Sequence, residues 1–136
     1  MAFDVCHEQI VRALEKAGWT VEKQQAKLNT TQRQVFVDIL AERGLNGSRQ
    51  QIMLVEIKCF PDRDSTTQEL YVSIGQYLIY RAVIAELDLT IPLYLAVPDD
   101  AFRDIFDSTA RRVLQESRIK MVVVNLETET ITQWIE

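Results

Sequence analysis

Alternating apolar and polar residues predict an antiparallel β-hairpin in the first half of the chain. Over residues 35–41 the alternation places four apolar side chains on one side of a strand, namely Val35, Val37, Ile39 and Ala41. A second run over residues 51–60 follows a turn through Gly44, Asn46 and Gly47. Two such runs joined by a short loop that contains glycine and asparagine are typical of a hairpin.

Apolar residues at helical spacing predict helices over residues 4–16, 66–87 and 99–115. Gly18 follows the first of these and ends it. Thr66 stands three residues before Glu69, which predicts a capping box at the start of the second.

The remaining apolar runs predict four further strands, over residues 20–23, 91–97, 119–125 and 131–135. Continuous apolar runs such as residues 91–97 suit central strands that are covered on both faces. The order helix, three strands, helix, strand, helix, strand, strand predicts a mixed central sheet flanked by helices, an α/β fold. At 136 residues, the chain is expected to form a single domain over residues 1–136.

The composition is that of a globular domain, with 47% hydrophobic and 26% charged residues. The longest apolar runs fall far short of the roughly 20 residues that a membrane-spanning helix needs. No basic segment followed by an apolar stretch opens the chain, so a cytoplasmic location is expected. The net charge of -5 is unusual for a protein that binds DNA through phosphate contacts alone. A DNA-binding role would need basic residues gathered on one face, bridging divalent cations, or a partner.

The cysteine and histidine content argues against several kinds of site. Cys6 and Cys59 are the only cysteines and form no CxxC pair, so zinc fingers and thioredoxin-type sites are not expected. They are predicted to be two reduced, partly buried thiols. His7 is the sole histidine, which excludes metal sites built from several histidines.

Three charged residues occupy positions where the strand pattern predicts burial. Glu56 and Lys58 lie on the same side of their strand as Leu54, and Asp38 lies between Phe36 and Leu40 on its own strand. An uncompensated carboxylate in such a place costs several kcal/mol. The charges therefore need partners.

The predicted hairpin would bring Asp38 beside Glu56. Two adjacent carboxylates repel each other unless a cation lies between them, and Mg²⁺ (or Mn²⁺) suits oxygen ligands. Lys58 could then orient or deprotonate an attacking water, or stabilise charge on a phosphate. The alternative is a structural cluster in which Lys58 neutralises one carboxylate.

Gln76 and Tyr80 lie one turn apart on the same face of the predicted helix 66–87, so both could reach one site beyond the strand end. The alternative is an amphipathic helix whose tyrosines pack in the core. The pattern Q-x-x-x-Y, placed after D...E-x-K, is similar to that of the RecB-like branch of PD-(D/E)xK nucleases.

The sequence also resembles the XisH-like excision-controlling factors, named for the control of fdxN-element excision, over nearly its whole length. The segments that carry the resemblance are AGWT at 17–20, VDILAE at 37–42, VEIK at 55–58 with Phe60, GQYLIYR at 75–81, LYLAVP at 93–98 and WI at 134–135. Val37 stands where the superfamily motif has proline, and residues 23–34 depart from the family pattern.

The resemblance implies a restriction-endonuclease-like fold with a metal site. It assigns the metal-binding acids to Asp38 and Glu56, the motif lysine to Lys58, and the helical pair to Gln76 and Tyr80. Glu8 on the first helix is a further candidate metal ligand, its alternative being a solvated surface carboxylate.

Together with the resemblance, these residues lead us to expect a metal-dependent nuclease-like protein that hydrolyses DNA phosphodiesters during element excision. The resemblance also implies an XisI-like protein partner. One alternative is a non-catalytic module of the same fold that binds DNA or a protein and assists a recombinase. Another is a purely structural ion cluster inside a homodimer.

The helix 66–87 carries apolar residues around almost its whole circumference, and such a helix is buried on most sides. In a chain of this size, that predicts a homodimer whose interface includes part of this helix. The alternative is a central helix covered wholly by its own domain.

Overall fold

A computed structural model of the chain describes residues 5–45 and 49–136. The helices are α1 (His7–Lys16), α2 (Thr66–Glu86), α3 (Asp99–Asp104) and α4 (Ser108–Glu116). The strands are β1 (Thr20–Asn29), β2 (Gln34–Leu45), β3 (Arg49–Ile57), β4 (Leu93–Pro98), β5 (Lys120–Asn125) and β6 (Thr130–Ile135).

The strands form one six-stranded sheet in which spatial order follows chain order, β1-β2-β3-β4-β5-β6. The β1–β2 and β2–β3 pairs are antiparallel, β3, β4 and β5 run parallel, and β6 returns antiparallel to β5. The parallel pairs are joined through α2 and through α3 with α4. The prediction of a mixed sheet flanked by helices is confirmed, and the architecture is consistent with a restriction-endonuclease-like fold.

Helices cover both faces of the sheet. Leu95 of β4 and Met121 of β5 pack in a core with α2, α3 and α4, whereas the adjacent Ala96 and Val122 pack in a second core with α1. Every residue of β4 is buried, as a strand covered on both faces requires. The continuous apolar runs therefore predicted central strands correctly.

Local predictions failed at the two longer helical segments. Ser65, not Thr66, occupies the N-cap position of α2, and its side chain makes no capping hydrogen bond. The predicted helix 99–115 is broken into α3 and α4, because the carboxylate of Asp107 accepts a hydrogen bond from the N–H of Ala110 and starts a new helix. The predicted turn residues Asn46 and Gly47 lie outside the described residues.

Cys6 and Cys59 form a disulfide, so the prediction of two reduced thiols was wrong. The N-terminal end of α1 packs against the chain just beyond β3, which brings the two Cα atoms within 5.8 Å. The cysteines are 53 positions apart in sequence, and no local pattern signals such a contact. Both are buried in the core beneath α1.

α2 is partly covered by its own domain. Tyr77, Val83 and Ile84 are buried, whereas Tyr71 and Val72 are exposed. The homodimer through this helix stays a prediction. In the described part of the chain, no helix is both long and apolar enough to cross a membrane.

Reduction of the Cys6–Cys59 disulfide is expected to lower the free energy of unfolding. A crosslink across 53 residues restricts the unfolded chain and stabilises the fold by about 4 kcal/mol in the chain-entropy account. Urea denaturation with and without dithiothreitol measures the difference. The double variant Cys6→Ala/Cys59→Ala should not respond to the reductant, and a wild type equally indifferent would contradict the prediction.

Candidate active site

The candidate site forms where the backbone ladder between β2 and β3 stops. Regular pairing of the two strands ends at Ile39 opposite Val55. Beyond that point the side chains take over, since the Asp38 N–H donates to Glu56 Oε1 (3.2 Å) and the Ile57 N–H donates to Asp38 Oδ2 (2.8 Å). Each carboxylate thus accepts a hydrogen bond from a backbone N–H of the opposite strand. The hairpin brings Asp38 beside Glu56, as the strand pattern predicted.

Glu56 is almost completely buried, with 5% of its surface exposed. Burial, and after it the negative charge of Asp38, raises the pKa of Glu56 to about 8. The hydrogen bond from the Asp38 backbone and the positive charge of Lys58 lower this pKa, but their effect is smaller. Without a cation, the Glu56 carboxyl group therefore carries a proton at neutral pH.

A cleft of about 450 Å³ opens over this pair. Its lining includes all five side chains predicted to be catalytic, namely Asp38, Glu56, Lys58, Gln76 and Tyr80. Lys58 follows β3 directly, and its N–H donates to the Ala96 carbonyl of β4 (3.0 Å), which continues the pairing of β3 with β4. The structure therefore brings the predicted side chains to one place.

α2 supplies Gln76 and Tyr80 to the cleft wall. Gln76 Nε2 donates to the Tyr80 hydroxyl (2.6 Å). The pKa of Tyr80 is raised, chiefly by burial and also by the negative charges of Glu56 and Asp38. Gln76 Oε1 is buried without a hydrogen-bond partner among the residues that the structure describes. A ligand or an ammonium group that donates to this oxygen would satisfy it.

Glu8 is not among the side chains that line this cleft. It lies on α1 with 85% of its side chain exposed, 4.0 Å from Arg12. No group of three His, Cys, Asp or Glu side chains within residues 5–45 and 49–136 is arranged to hold a metal ion. Asp38 and Glu56 thus stand as a pair, and Glu8 has the environment of a solvated surface carboxylate.

The cleft lining also includes residues that sequence analysis did not assign to the site, among them Gln25, Arg33, Phe36 and Ile79. Gln25 and Arg33 come from the segment that departs from the family pattern. Gln25 has a φ of 61°, which is uncommon for a residue with a side chain and costs on the order of 1–3 kcal/mol. Strand alternation had placed Phe36 on the same side of β2 as Asp38, whereas helical spacing alone did not mark Ile79 as a residue of the cleft.

The sequence profile of the family described as XisH protein matches residues 1–132. The chain belongs to the XisH family. The match covers both strands of the hairpin and α2, and so all five predicted side chains of the cleft.

Two solved structures are similar to this XisH-family chain. One is an XisH family protein from Nostoc punctiforme and the other is an fdxN element excision controlling factor protein from Anabaena variabilis. Each is 30% identical, covers 98% of this chain and 100% of its own, and superposes with a TM-score of 0.87. A search of curated proteins gave no match.

The contribution of Glu56 to the stability of the XisH-family protein should fall as pH rises from about 4.5 to about 8 in the presence of EDTA. Below this window, Glu56 is protonated in both the folded and unfolded states. Within it, only the folded state keeps the proton, so the free energy of unfolding falls by up to about 1.4 kcal/mol per pH unit. Above about 8 this contribution is lost.

The measurement is urea denaturation across the pH range for wild type and Glu56→Gln. The difference between the two curves isolates the Glu56 contribution, which Glu56→Gln removes. Glu8→Gln, on the exposed surface of α1, is the control for losing a carboxyl group. Parallel wild-type and Glu56→Gln profiles would refute the raised pKa.

Proposed function

We propose that this protein is an excision-controlling factor with a Mg²⁺-dependent nuclease-like site of the PD-(D/E)xK type, in the RecB-like branch. It would hydrolyse DNA phosphodiesters during site-specific element excision. Its Anabaena variabilis relative is described as an fdxN element excision controlling factor protein. The observation that carries the proposal is the Asp38–Glu56 pair, held by backbone donors in one cleft with Lys58 and Gln76.

The chemistry of the pair suits a hard divalent cation. Mg²⁺ commonly binds proteins through one or two carboxylates and completes its coordination with water and substrate phosphate. Two carboxylates in an open cleft meet that requirement without a third protein ligand. The raised pKa of Glu56 also indicates that the pair needs a positive species, either a proton or a cation, close to it.

Asp38 and Glu56 would hold the cation, and their backbone hydrogen bonds fix where each carboxylate lies. When bound, a divalent cation supplies Lewis acidity toward a phosphodiester and lowers the pKa of water. Lys58 would stabilise negative charge on the phosphate or take the proton of the attacking water. Gln76, whose Oε1 lacks a hydrogen-bond partner within the described residues, would orient Lys58 or the substrate.

A non-catalytic module of the same fold is the second candidate function. The net charge of -5 favours it. Such a module would bind DNA or a protein partner and assist a separate recombinase. The XisI-like partner stays a prediction under both candidate functions.

Metal binding can be tested without catalysis, through stability. Mg²⁺ or Mn²⁺ at about a hundredfold excess over its dissociation constant should stabilise the wild type by about 2.7 kcal/mol. Asp38→Asn should lose most of that gain. In EDTA, the variant should unfold at or above the wild-type temperature, because it removes the negative charge that helps to raise the pKa of Glu56 and keeps an acceptor for the Ile57 N–H.

Thermal melts of both proteins, in EDTA and in excess metal, provide the measurement. The structural-cluster alternative predicts the reverse pattern, since a cluster held by Lys58 would be destabilised by Asp38→Asn. If Asp38→Asn is destabilised and metal does not stabilise the wild type, the proposed metal site is contradicted.

Cleavage is tested with linear, nicked and branched DNA in the presence of Mg²⁺ or Mn²⁺. Lys58→Met keeps the aliphatic stem and removes the charge, so the fold and metal stabilisation should persist while the rate falls at least about a hundredfold. Asp38→Asn should abolish cleavage. Undiminished cleavage by Lys58→Met would sink its catalytic role, and a wild type that binds metal but cuts no substrate would favour the accessory module.

A further inference from the structure

The cleft above the carboxylate pair has an exposed apolar rim. Phe36 and Ile79 each leave 47% of their surface exposed, and both line the cleft that contains Asp38 and Glu56. Phe36 precedes Asp38 by two residues in β2, so the two side chains leave the strand on the same side. Ile79 lies on α2 between Gln76 and Tyr80. The apolar surface is therefore directly beside the proposed chemistry.

Phe36 is exposed although its neighbours in β2 are buried. The neighbouring Val35 and Val37 are buried, so the strand already provides its share of the core. An exposed aromatic ring in a cleft offers a flat face to a ligand, and nucleic-acid bases stack on such faces irrespective of sequence. Ile79 lines the same cleft and would add apolar surface to the site of such a base.

The charges around the rim favour a small number of phosphate contacts. Lys27 pairs with Phe36 across the β1–β2 ladder, and Arg33 lines the cleft. The chain as a whole has a charge of -5, so a long electrostatic footprint on duplex DNA is disfavoured. Stacking on an aromatic ring supplies affinity that does not depend on net charge.

The burial of Glu56 favours a flexible strand. Glu56 is 5% exposed and lines a cleft of about 450 Å³, the size of a small-molecule site. An unpaired strand can bend its backbone into such a cleft and turn a base toward the rim. A paired base must first be unstacked and unpaired, at a cost of a few kcal/mol.

We propose that Phe36 and Ile79 form a stacking site for an unpaired DNA base next to the phosphate presented to Asp38 and Glu56. The substrate class is then DNA with an unpaired strand, rather than continuous duplex. This inference rests on the proposed nuclease-like function and specifies the substrate of that same site.

Binding is measured by fluorescence anisotropy with Ca²⁺ in place of Mg²⁺ to limit cleavage. The probes are a short fluorescein-labelled oligothymidine and a blunt-ended duplex of two complementary strands of the same length. Wild type should bind the single strand at least about tenfold more tightly than the duplex, and Phe36→Ala should weaken single-strand binding about tenfold, the size of one lost stacked base. Phe36→Trp should keep the wild-type preference.

Tyr71→Ala is the matched control, because Tyr71 is an exposed aromatic residue of α2 that lines a different cavity. It should bind both probes as the wild type does. Equal wild-type affinity for the two probes, or a Phe36→Ala variant that binds the single strand normally, would overturn the stacking site. If the Phe36→Ala substitution converts a dimer into a monomer, that result would also overturn it, because the rim would then be the contact surface for a second copy of the chain.

Metal-dependent melts separate this inference from the function on which it rests. Phe36→Ala should keep the full stabilisation by Mg²⁺, since Phe36 holds no metal. If the wild type binds metal and cleaves DNA but binds single-stranded and duplex DNA equally well, the stacking site alone is rejected. No metal stabilisation, with the Phe36-dependent preference intact, would reject the metal site and leave a single-strand-binding cleft.

Discussion

The site depends on two hydrogen bonds that replace the backbone ladder between β2 and β3. Buried backbone N–H groups need acceptors, and at this point of the sheet the carboxylates of Asp38 and Glu56 supply them. The acids are therefore structural parts of the sheet as well as candidate ligands. Truncation of either side chain to alanine would orphan a backbone donor, so the amide substitutions are the informative ones.

The rest of the fold forms the walls of the cleft that lies over Asp38 and Glu56. β3 continues its pairing with β4 through the Lys58 N–H, which holds the strand in place after β2 has left it. α2 then returns across the sheet and brings Gln76 and Tyr80 to the cleft. The Cys6–Cys59 disulfide fixes the residue after Lys58 to the start of α1, on the other face of the sheet. Lys58 is thus held by the pairing on one side and by a covalent link on the other.

Sequence patterns predicted the parts of the site that follow from periodicity. Alternation placed Asp38 and Glu56 on neighbouring strands of a hairpin, and helical spacing placed Gln76 and Tyr80 on one face. The wall contributed by Gln25 and Arg33 could not be predicted, because it depends on the backbone conformation of β1 at Gln25 and on the turn between β1 and β2 at Arg33. The disulfide was not predicted because it is a contact between residues far apart in the sequence. The break at Asp107 was not predicted because a local N-cap interrupts an apolar pattern that is otherwise helical.

The charge of the cleft links the acidic composition of the chain to the proposed chemistry. Arg33, Lys58, Asp38 and Glu56 line the same cleft, and with Glu56 protonated the two basic side chains outweigh the single negative charge of Asp38. A divalent cation that displaces the Glu56 proton adds two positive charges and removes one, so it would make the cleft more positive and more attractive to phosphate. Cation binding would then strengthen DNA binding, and an acidic protein could act on DNA without a basic surface.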